Sequence, residues 1–405
     1  MAVLQRFFQV SCLILIISML LSIINKKSVP LAQSLFKTSV TTSSRSFFFG
    51  SGSGPGSSSS ASSGSSSGSG SSSSSSWSSS KSYSSTSAQS ANASVPPATS
   101  STASLNYDTA LTTFTHYNVA VAYQPKDRKP STNLFKKRNR EVPALNSPSG
   151  EDNLFVSNQT KDGSIAVGVA DGVGGWSEAG YDSSAISREL CASIKYAFEK
   201  EYDTQNSITP KDLLVEAFRD VTFSEKVEIG GTTACLGIFT PDKKLKVANL
   251  GDSWCGLFRD YKLIHETNFQ THNFNTPYQL AKIPQHILKQ AELEGRRYII
   301  DSPLMADEYT WNLQKNDIVM FATDGVTDNV VPQDIEIFLK DNLEDRADKD
   351  AKLDVVTNKF VKEVVKVSKD SNFPSAFAQE LSRITGQKYL GGKEDDITVV
   401  LVKVL

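Results

Sequence analysis

Acidic side chains are missing from the beginning of the chain. No Asp or Glu precedes Asp108, and the first 107 residues contain six basic side chains, whereas the remaining 298 contain 36 basic and 44 acidic ones. Domains that bind the phosphate backbone of nucleic acids usually carry a net positive charge, so the net negative charge of the second part argues against a nucleic-acid partner. The chain therefore divides into a basic leader and a mildly acidic body that is better suited to binding cations.

Cysteine and histidine are also scarce. The chain has four cysteines without a CxxC pair, and four histidines without an HExxH motif or another close ligand pair. This argues against a disulfide scaffold, a cysteine zinc site and a histidine-rich catalytic zinc site. We predict that the cysteines are small buried hydrophobic residues and that any bound metal has oxygen ligands.

The apolar run near the N-terminus is of borderline length for a membrane span. From Leu13 to Ile24 only two serines interrupt it, and it extends back to Phe7 with two further polar interruptions, 18 residues in all. A span needs about 20 apolar residues, whereas the core of a secretory signal has about 7 to 15. We predict a targeting leader over residues 1–50 whose transmembrane helix, about residues 7–24, attaches the protein to a membrane. A cleaved secretory peptide is the alternative.

The composition around this run indicates a compartment. Acid-free, hydroxyl-rich sequence with scattered basic residues follows it, which is typical of mitochondrial import leaders. Lys26 and Lys27 follow the run more densely than Arg6 precedes it, which would keep the downstream domain on the cytosolic or matrix side. We predict the mitochondrion, as matrix or inner membrane, with the nuclear envelope or endoplasmic reticulum membrane as the alternative. The sequons at Asn92 and Asn158 would matter only in a Ser-rich secreted protein.

A low-complexity stretch separates the leader from the rest of the chain. Residues 51–90 contain 26 serines in 40 positions, interleaved with glycine and almost without aliphatic side chains. Such a segment buries too little surface to offset the entropy of ordering. We predict a disordered Ser/Gly-rich linker over residues 51–105 and one globular domain over residues 106–405.

Both kinds of secondary structure are visible in the globular part. Alternation from Ile165 to Val169 and the short apolar runs 245–250, 318–322 and 397–402 predict buried strands. Apolar residues every four positions from Ile186 to Phe198, after Asp182 as N-cap, predict a helix that reaches about residue 202. A second helix is predicted after Pro210. This order of elements predicts an α+β domain with antiparallel sheets.

Carboxylates fall at the ends of the predicted strands. A single Asp-Gly pair is usually only a turn, but an acid directly beside a buried run needs a cation or hydrogen bonds to neutralise it. Mg²⁺ and Mn²⁺ take oxygen ligands, and a glycine after the ligand lets its own carbonyl approach the ion. Five acidic turns adjoin ends of predicted strands, and in the second and fourth of them a glycine follows the acid: Glu151-Asp152, Asp171-Gly172, Gly251-Asp252, Asp324-Gly325 and Asp395-Asp396.

These turns belong to longer motifs that occur in a recognisable order. Together they resemble the metal-dependent protein phosphatase family, type 2C, from about Tyr117 to the end of the chain. The Asp-Gly-Val-Gly-Gly-Trp motif and the segments 272–280 and 301–303 resemble the protein phosphatase 2C homolog 7 branch. The motifs are Glu151-Asp152, Asp171-Gly172-Val173-Gly174-Gly175-Trp176, Gly231-Thr232-Thr233-Ala234, Gly251-Asp252-Ser253, Ala322-Thr323-Asp324-Gly325-Val326-Thr327-Asp328-Asn329 and Gly391-Gly392-Lys393-Glu394-Asp395-Asp396-Ile397-Thr398.

The resemblance implies a fold and a set of site residues. The fold is a four-layer αββα sandwich, in which two antiparallel β-sheets are flanked by helices. The cofactor is Mn²⁺ or Mg²⁺, as two ions with a third possible. By position in the motifs, the resemblance implies that Asp171 bridges the two ions and that Gly172 binds one of them through its carbonyl. Asp324 and Asp395 would bind the other ion, and Asp252 would help to bind the third. Glu151 and Asp152 would hold metal-bound water molecules, and Asp328 and Asp396 would be hydrogen-bonding neighbours.

The implied activity is hydrolysis of phosphoserine and phosphothreonine in phosphoprotein substrates by a water that bridges the two ions. No covalent phosphoenzyme is needed, which agrees with the lack of a Cys-x5-Arg loop. The branch further implies control of mitochondrial metabolism. The alternatives are a catalytically weak binding module on the same fold and a membrane-anchored phosphatase of the nuclear envelope or endoplasmic reticulum.

Two positions depart from the family pattern. Val173 stands where many members have a histidine proposed as general acid, and His272 is a weak substitute for which a core or loop role is preferred. The phosphate-binding arginine before the Glu-Asp motif has no match in residues 146–150. The basic run 136–140 is an upstream substitute, although a solvated loop is the simpler interpretation.

Overall fold

Four ranges of the chain are described by the computed structural model: residues 111–128, 147–201, 208–344 and 353–405. The predicted leader over residues 1–50 and linker over residues 51–105 lie outside the described residues, as does the predicted start of the domain at residue 106. These boundaries therefore stay predictions.

The strands of the described residues form two antiparallel sheets. A six-stranded sheet has the order β1-β2-β15-β14-β8-β9, and a five-stranded sheet has the order β13-β7-β6-β4-β3. Two short pairs, β10–β11 and β5–β12, lie beside them. The strands are β1 Leu111–Thr113, β2 Tyr117–Gln124, β3 Asn153–Val156, β4 Ile165–Ala170, β5 Gly230–Thr232, β6 Ala234–Phe239, β7 Lys244–Leu250, β8 Trp254–Arg259, β9 Lys262–Glu266, β10 Thr271–Asn273, β11 Thr276–Pro277, β12 Leu280–Lys282, β13 Asp307–Asn312, β14 Ile318–Ala322 and β15 Ile397–Val404.

Helices cover the outer faces of the two sheets. Helices α2 and α3 pack on the five-stranded sheet, and α7 packs on β2 and β15 of the six-stranded sheet. This gives the four layers that the resemblance implied. The helices are α1 Gly175–Glu178, α2 Ser184–Glu201, α3 Pro210–Phe223, α4 Gln285–Leu293, α5 Asp324–Thr327, α6 Pro332–Leu343, α7 Leu353–Ser368 and α8 Ala376–Thr385, with a short 3₁₀ helix at Pro303–Met305.

Strand periodicity explains the layers. Successive side chains of a strand point to opposite faces of the sheet. In β4, Ala166 therefore packs in the cluster beneath the helices with Ile186, whereas Val167 packs between the sheets with Phe321 and Val400. A sheet with two buried faces needs apolar residues at every position, and all six residues of β4 are buried.

Most predicted elements are confirmed. The strand at Ile318–Ala322 has the predicted bounds, and the helix predicted after Asp182 runs from Ser184 to Glu201. The helix predicted after Pro210 begins at Pro210 itself, where the side chain of Thr209 accepts a hydrogen bond from the backbone N–H of Asp212. Cys191, Cys235 and Cys255 are free and buried, as predicted, and Cys12 lies outside the described residues.

The predicted transmembrane helix, and with it the attachment to a membrane, is wrong for the part of the chain that the structure describes. No helix there is both long enough and apolar enough to cross a bilayer. The longest, Ser184–Glu201, has 18 residues but carries charged side chains on the face away from the core. The segment 7–24, on which the prediction rested, lies outside the described residues.

Candidate active site

The first carboxylate turn is fixed by its backbone. Asp171 follows the last residue of β4, its backbone N–H donates to Thr233 Oγ1 over 3.0 Å, and its carbonyl accepts from the Thr233 N–H over 2.9 Å. The Thr233 hydroxyl also lies 2.7 Å from Ser253 Oγ, next to Asp252. The Gly-Thr-Thr motif therefore joins the Asp171 turn to the Asp252 turn.

A second threonine joins two further turns. Thr323 directly follows β14, and its hydroxyl donates to Asp152 Oδ2 over 2.7 Å while accepting from the Thr398 N–H over 3.1 Å. Asp324 is the next residue and begins helix α5. The Glu151-Asp152 turn and the start of β15 are thereby held against the Asp324 turn.

Asp396 fixes the backbone of the Glu-Asp motif. Its Oδ2 accepts from the Glu151 N–H over 2.8 Å, and its Oδ1 accepts from the Lys126 N–H over 2.8 Å. The Glu151 carbonyl in turn accepts from the Gly172 N–H over 3.2 Å, and the Glu151 side chain accepts from the Ser183 hydroxyl over 2.6 Å. Asp396 thus links three of the predicted motifs.

Three basic side chains enter the carboxylate cluster, and none was predicted as a site residue. Lys126 Nζ lies 2.8 Å from Asp395 Oδ1 and 3.0 Å from Glu151 Oε2. Arg128 Nη2 lies 2.9 Å from Glu151 Oε2 and also contacts Asp396. Lys393 contacts Asp324 and Asp328. The available signal was that Lys126 and Arg128 follow the end of β2 just as the acids follow the ends of other strands.

Burial, and after it the neighbouring carboxylates, raise the pKa values of several acids in the cluster. The pKa of Asp171 is well above its ordinary value, first because the surrounding turns desolvate the carboxyl, and then because Asp324 and Asp152 lie nearby. Desolvation likewise raises the pKa values of Asp152 and Asp252. Negative charge is therefore in excess around Asp171.

Lysine partly offsets this excess on one side of the cluster. Desolvation would raise the pKa of Asp324, but the charge and hydrogen bond of the Lys393 ammonium, together with a hydrogen bond with Asp171 and the charge of Lys126, lower that pKa. For Asp328, desolvation outweighs the same ammonium and raises the pKa to about 7. The cluster therefore remains short of positive charge.

Two buried carboxylate oxygens fit a role as cation ligands. Asp152 Oδ1 and Asp252 Oδ1 have no hydrogen-bond partner among the described residues, which is costly for buried polar atoms. Hard divalent cations prefer such oxygens. No three metal-ligating side chains in the described ranges already converge on one point. The carboxylate oxygens of the cluster are nevertheless the kind of ligand that a hard divalent cation prefers, and the ammonium groups of Lys126 and Lys393 lie among them.

The two departures from the family pattern have different outcomes. Val173 is half-buried and its N–H donates to the Gly231 carbonyl, so it offers no titratable group. His272 lies in strand β10, where its Nε2 is 3.0 Å from Asp301 and its ring stacks on Tyr278, which favours a structural role in the β10–β11 hairpin. The basic run 136–140 lies outside the described residues.

A sandwich of two antiparallel sheets that joins five acidic turns in one cluster defines a candidate metal-dependent hydrolase. The family model described as Stage II sporulation protein E (SpoIIE) matches residues 161–405. The chain is 52% identical over 292 residues to "Protein phosphatase 2C homolog 7, mitochondrial" of Saccharomyces cerevisiae. The matched region covers 71% of this chain and 82% of that protein. It is 33% identical over 260 residues to "Protein phosphatase PTC7 homolog fig" of Drosophila melanogaster, and this match covers 64% of this chain and 78% of that protein.

The fold comparison agrees with these relatives. The photosystem II phosphatase PBCP has 26% sequence identity and a TM-score of 0.54, with 71% of this chain and 99% of that chain covered. The chain belongs to the protein phosphatase 2C family, and it is an enzyme of the protein phosphatase class.

Proposed function

We propose that the protein hydrolyses phosphoserine and phosphothreonine in protein substrates with Mn²⁺ or Mg²⁺ as its cofactor. The observation that carries this proposal is the excess of desolvated carboxylates around Asp171, together with the unpartnered oxygens of Asp152 and Asp252. At neutral pH the carboxyl groups of such a cluster either take up protons or gain positive charge from a bound cation, and a divalent cation supplies that charge.

The ligand assignment follows the motifs. Asp171 is proposed to bridge two ions, with the Gly172 carbonyl, Asp324 and Asp395 completing the protein ligands. Glu151 and Asp152 are proposed to hold water molecules at the site, and Asp328 and Asp396 to hold the neighbouring groups. When bound, the two ions would lower the pKa of a water molecule for in-line attack and neutralise the phosphoryl oxygens. A third ion would need Asp252, whose electrostatic neighbours include Lys393.

Arg128 is the proposed phosphate-binding residue. Its side chain is 32% exposed, so it reaches solvent, while Glu151 and Asp396 hold the guanidinium in place. A guanidinium offers paired donors that match the geometry of phosphate. Because Val173 has no proton to give, we propose that the leaving alkoxide is protonated by a water molecule at the site.

Removal of the metal tests this function. The full chain is expected to release phosphate from a phosphothreonine peptide with Mn²⁺ present, and to lose at least about 100-fold in rate on chelation, since even outer residues of metal sites contribute 10- to 100-fold. Re-addition of Mn²⁺ should restore the rate, and a matched phosphotyrosine peptide should be a poor substrate. Hydrolysis that persists in the chelator would overturn the assignment.

The mitochondrion is the proposed location. The acid-free leader supports it, and a relative with 52% identity is named as mitochondrial. Substrates would then be phosphoproteins of mitochondrial metabolism. A fluorescent reporter that carries residues 1–50 is expected to enter mitochondria, and a version with Lys26, Lys27, Lys37 and Arg45 changed to Gln is expected not to. Delivery of the first reporter to another compartment would contradict the proposal.

A further inference from the structure

The ammonium of Lys393 lies among several oxygens of the carboxylate cluster. Its Nζ is 2.7 Å from Asp324 Oδ2, contacts Asp328 Oδ2, and is 3.3 Å from Asn275 Oδ1. A lysine ammonium has three donors, and these three acceptors satisfy all of them. Asp395 Oδ2 is 3.6 Å away and adds an ionic contact. The ammonium is therefore fully coordinated by oxygen, as a small cation would be.

The backbone of Lys393 is anchored on the same side of the site. Its N–H donates to Asn329 Oδ1 over 2.9 Å and its carbonyl accepts from Asn329 Nδ2 over 2.8 Å. Asn329 is buried and also donates to the Gly325 carbonyl. Gly392 passes so close to helix α7 that a Cβ there would lie 2.2 Å from the Val367 carbonyl oxygen. These contacts hold the start of the lysine side chain beside the Asp324 turn.

The acids around the ammonium include Asp252, the residue assigned to a third ion, and also Asp324, a proposed ligand of the two-ion site. Asp324 and Asp328 are the acids in hydrogen-bond contact with it, and Asp252 interacts with it electrostatically. Asp252 is also the residue that the family pattern assigns to a third, weaker ion. By contrast, Asp171, the proposed bridging ligand, is not among the hydrogen-bond partners of Lys393 in the described residues.

We infer that Lys393 is a built-in cation that takes the place of a third divalent ion between Asp252, Asp324 and Asp328. The protein would then bind two ions and resist a third, because a divalent ion and an ammonium a few ångströms apart repel each other strongly. This inference rests on the two-ion site of the proposed function. It adds that Lys393, rather than a third ion, supplies positive charge beside Asp252, Asp324 and Asp328.

The test is a count of bound Mn²⁺ by the full chain, made by titration with free Mn²⁺ detected by electron paramagnetic resonance. Wild type is expected to bind two ions. Lys393→Met, which keeps the length of the side chain and removes the charge, is expected to bind a third ion with an affinity raised at least about tenfold. Lys393→Gln should behave in the same way, and Lys393→Arg should still bind two.

A matched control separates a local effect from a change in net charge. Lys369 is an exposed lysine whose Nζ pairs with Asp127 over 2.7 Å and lies 3.7 Å from Glu394. Lys369→Met removes one positive charge near the same loop and should leave the ion count at two. Thermal melting in chelator identifies any variant that does not fold.

The outcomes distinguish this inference from the proposed function. A third tightly bound ion in wild type, or unchanged binding in both folded uncharged variants, would overturn the role of Lys393. Chelator-insensitive hydrolysis would instead overturn the proposed function, whatever the ion count.

Discussion

Asp171→Asn is expected to lower Mn²⁺-dependent turnover by at least about 100-fold while the domain stays folded. The change removes the charge that the proposed bridging ligand brings to both ions, and loss of an outer partner of a metal ligand already costs 10- to 100-fold. The backbone contacts of Asp171 with Thr233 do not depend on its side chain, so the turn itself should persist.

The stability of this variant gives a second readout with a defined sign. Asp324, Asp152 and Asp395 repel the Asp171 carboxylate, so the variant without metal should melt at the same temperature as wild type or higher. Mn²⁺ should raise the melting temperature of wild type and much less that of the variant, since a ligand stabilises only the state that binds it. Phosphate release and melting curves with and without Mn²⁺ measure both effects.

Asp341→Asn is the matched control for Asp171→Asn. Asp341 is exposed on helix α6, so the same chemical change there should alter neither turnover nor the response to Mn²⁺. Turnover like that of wild type in Asp171→Asn would contradict the assignment of Asp171 as the bridging ligand.

Local patterns in the sequence were sufficient for the elements and for the acidic turns. The strand at Ile318–Ala322 and the helix Ser184–Glu201 follow from hydrophobic periodicity, which each segment carries by itself. The acidic turn at Asp171 could be predicted as part of a site because a carboxylate beside a buried apolar run needs a cation or hydrogen bonds to neutralise it. Local patterns did not predict how the strands pair, because the two-sheet sandwich was implied by the family resemblance and not by periodicity.

The basic residues of the site were missed because strand register brings them there. Strand β15 pairs with β2 so that Ile397 lies opposite Gln124. In an antiparallel pair, the residues before Ile397 then face the residues after Gln124, which places Lys126 beside Asp395 and Asp396. No local pattern gives this register. We expected a phosphate-binding arginine close to Glu151 in sequence, whereas the residue proposed for this role, Arg128, lies 23 positions earlier in the chain.

Gly172→Ala is expected to have a comparably large effect through packing alone. A Cβ at this position would lie 2.5 Å from the Glu151 carbonyl oxygen and 2.7 Å from the Ser183 carbonyl oxygen. Both contacts are with backbone, so the Asp171 turn and the Glu-Asp turn would have to move apart. Overpacking of this kind costs about 1 to 3 kcal/mol of stability, and a displacement of about 1 Å at a catalytic site can cost 100-fold in rate.

The alanine variant also separates two roles of Gly172. Alanine keeps the backbone carbonyl that is the proposed ion ligand, so a loss of activity would report on the close approach of the two turns and not on a missing ligand. We expect weaker Mn²⁺ binding, a lower melting temperature and at least about 100-fold slower turnover. These three quantities come from a Mn²⁺ titration, a melting curve and the phosphothreonine peptide assay.

Gly175, three positions further along the same motif, is the matched control for Gly172. A Cβ on Gly175 would meet nothing within 4 Å, and the residue begins helix α1, where alanine is favoured over glycine by up to about 1 kcal/mol. Gly175→Ala should therefore keep full activity and at least wild-type stability. If Gly172→Ala kept the activity and stability that we expect of Gly175→Ala, the close approach of the Asp171 turn to Glu151 would not position the metal ligands. The proposed ligand assignment would then be contradicted.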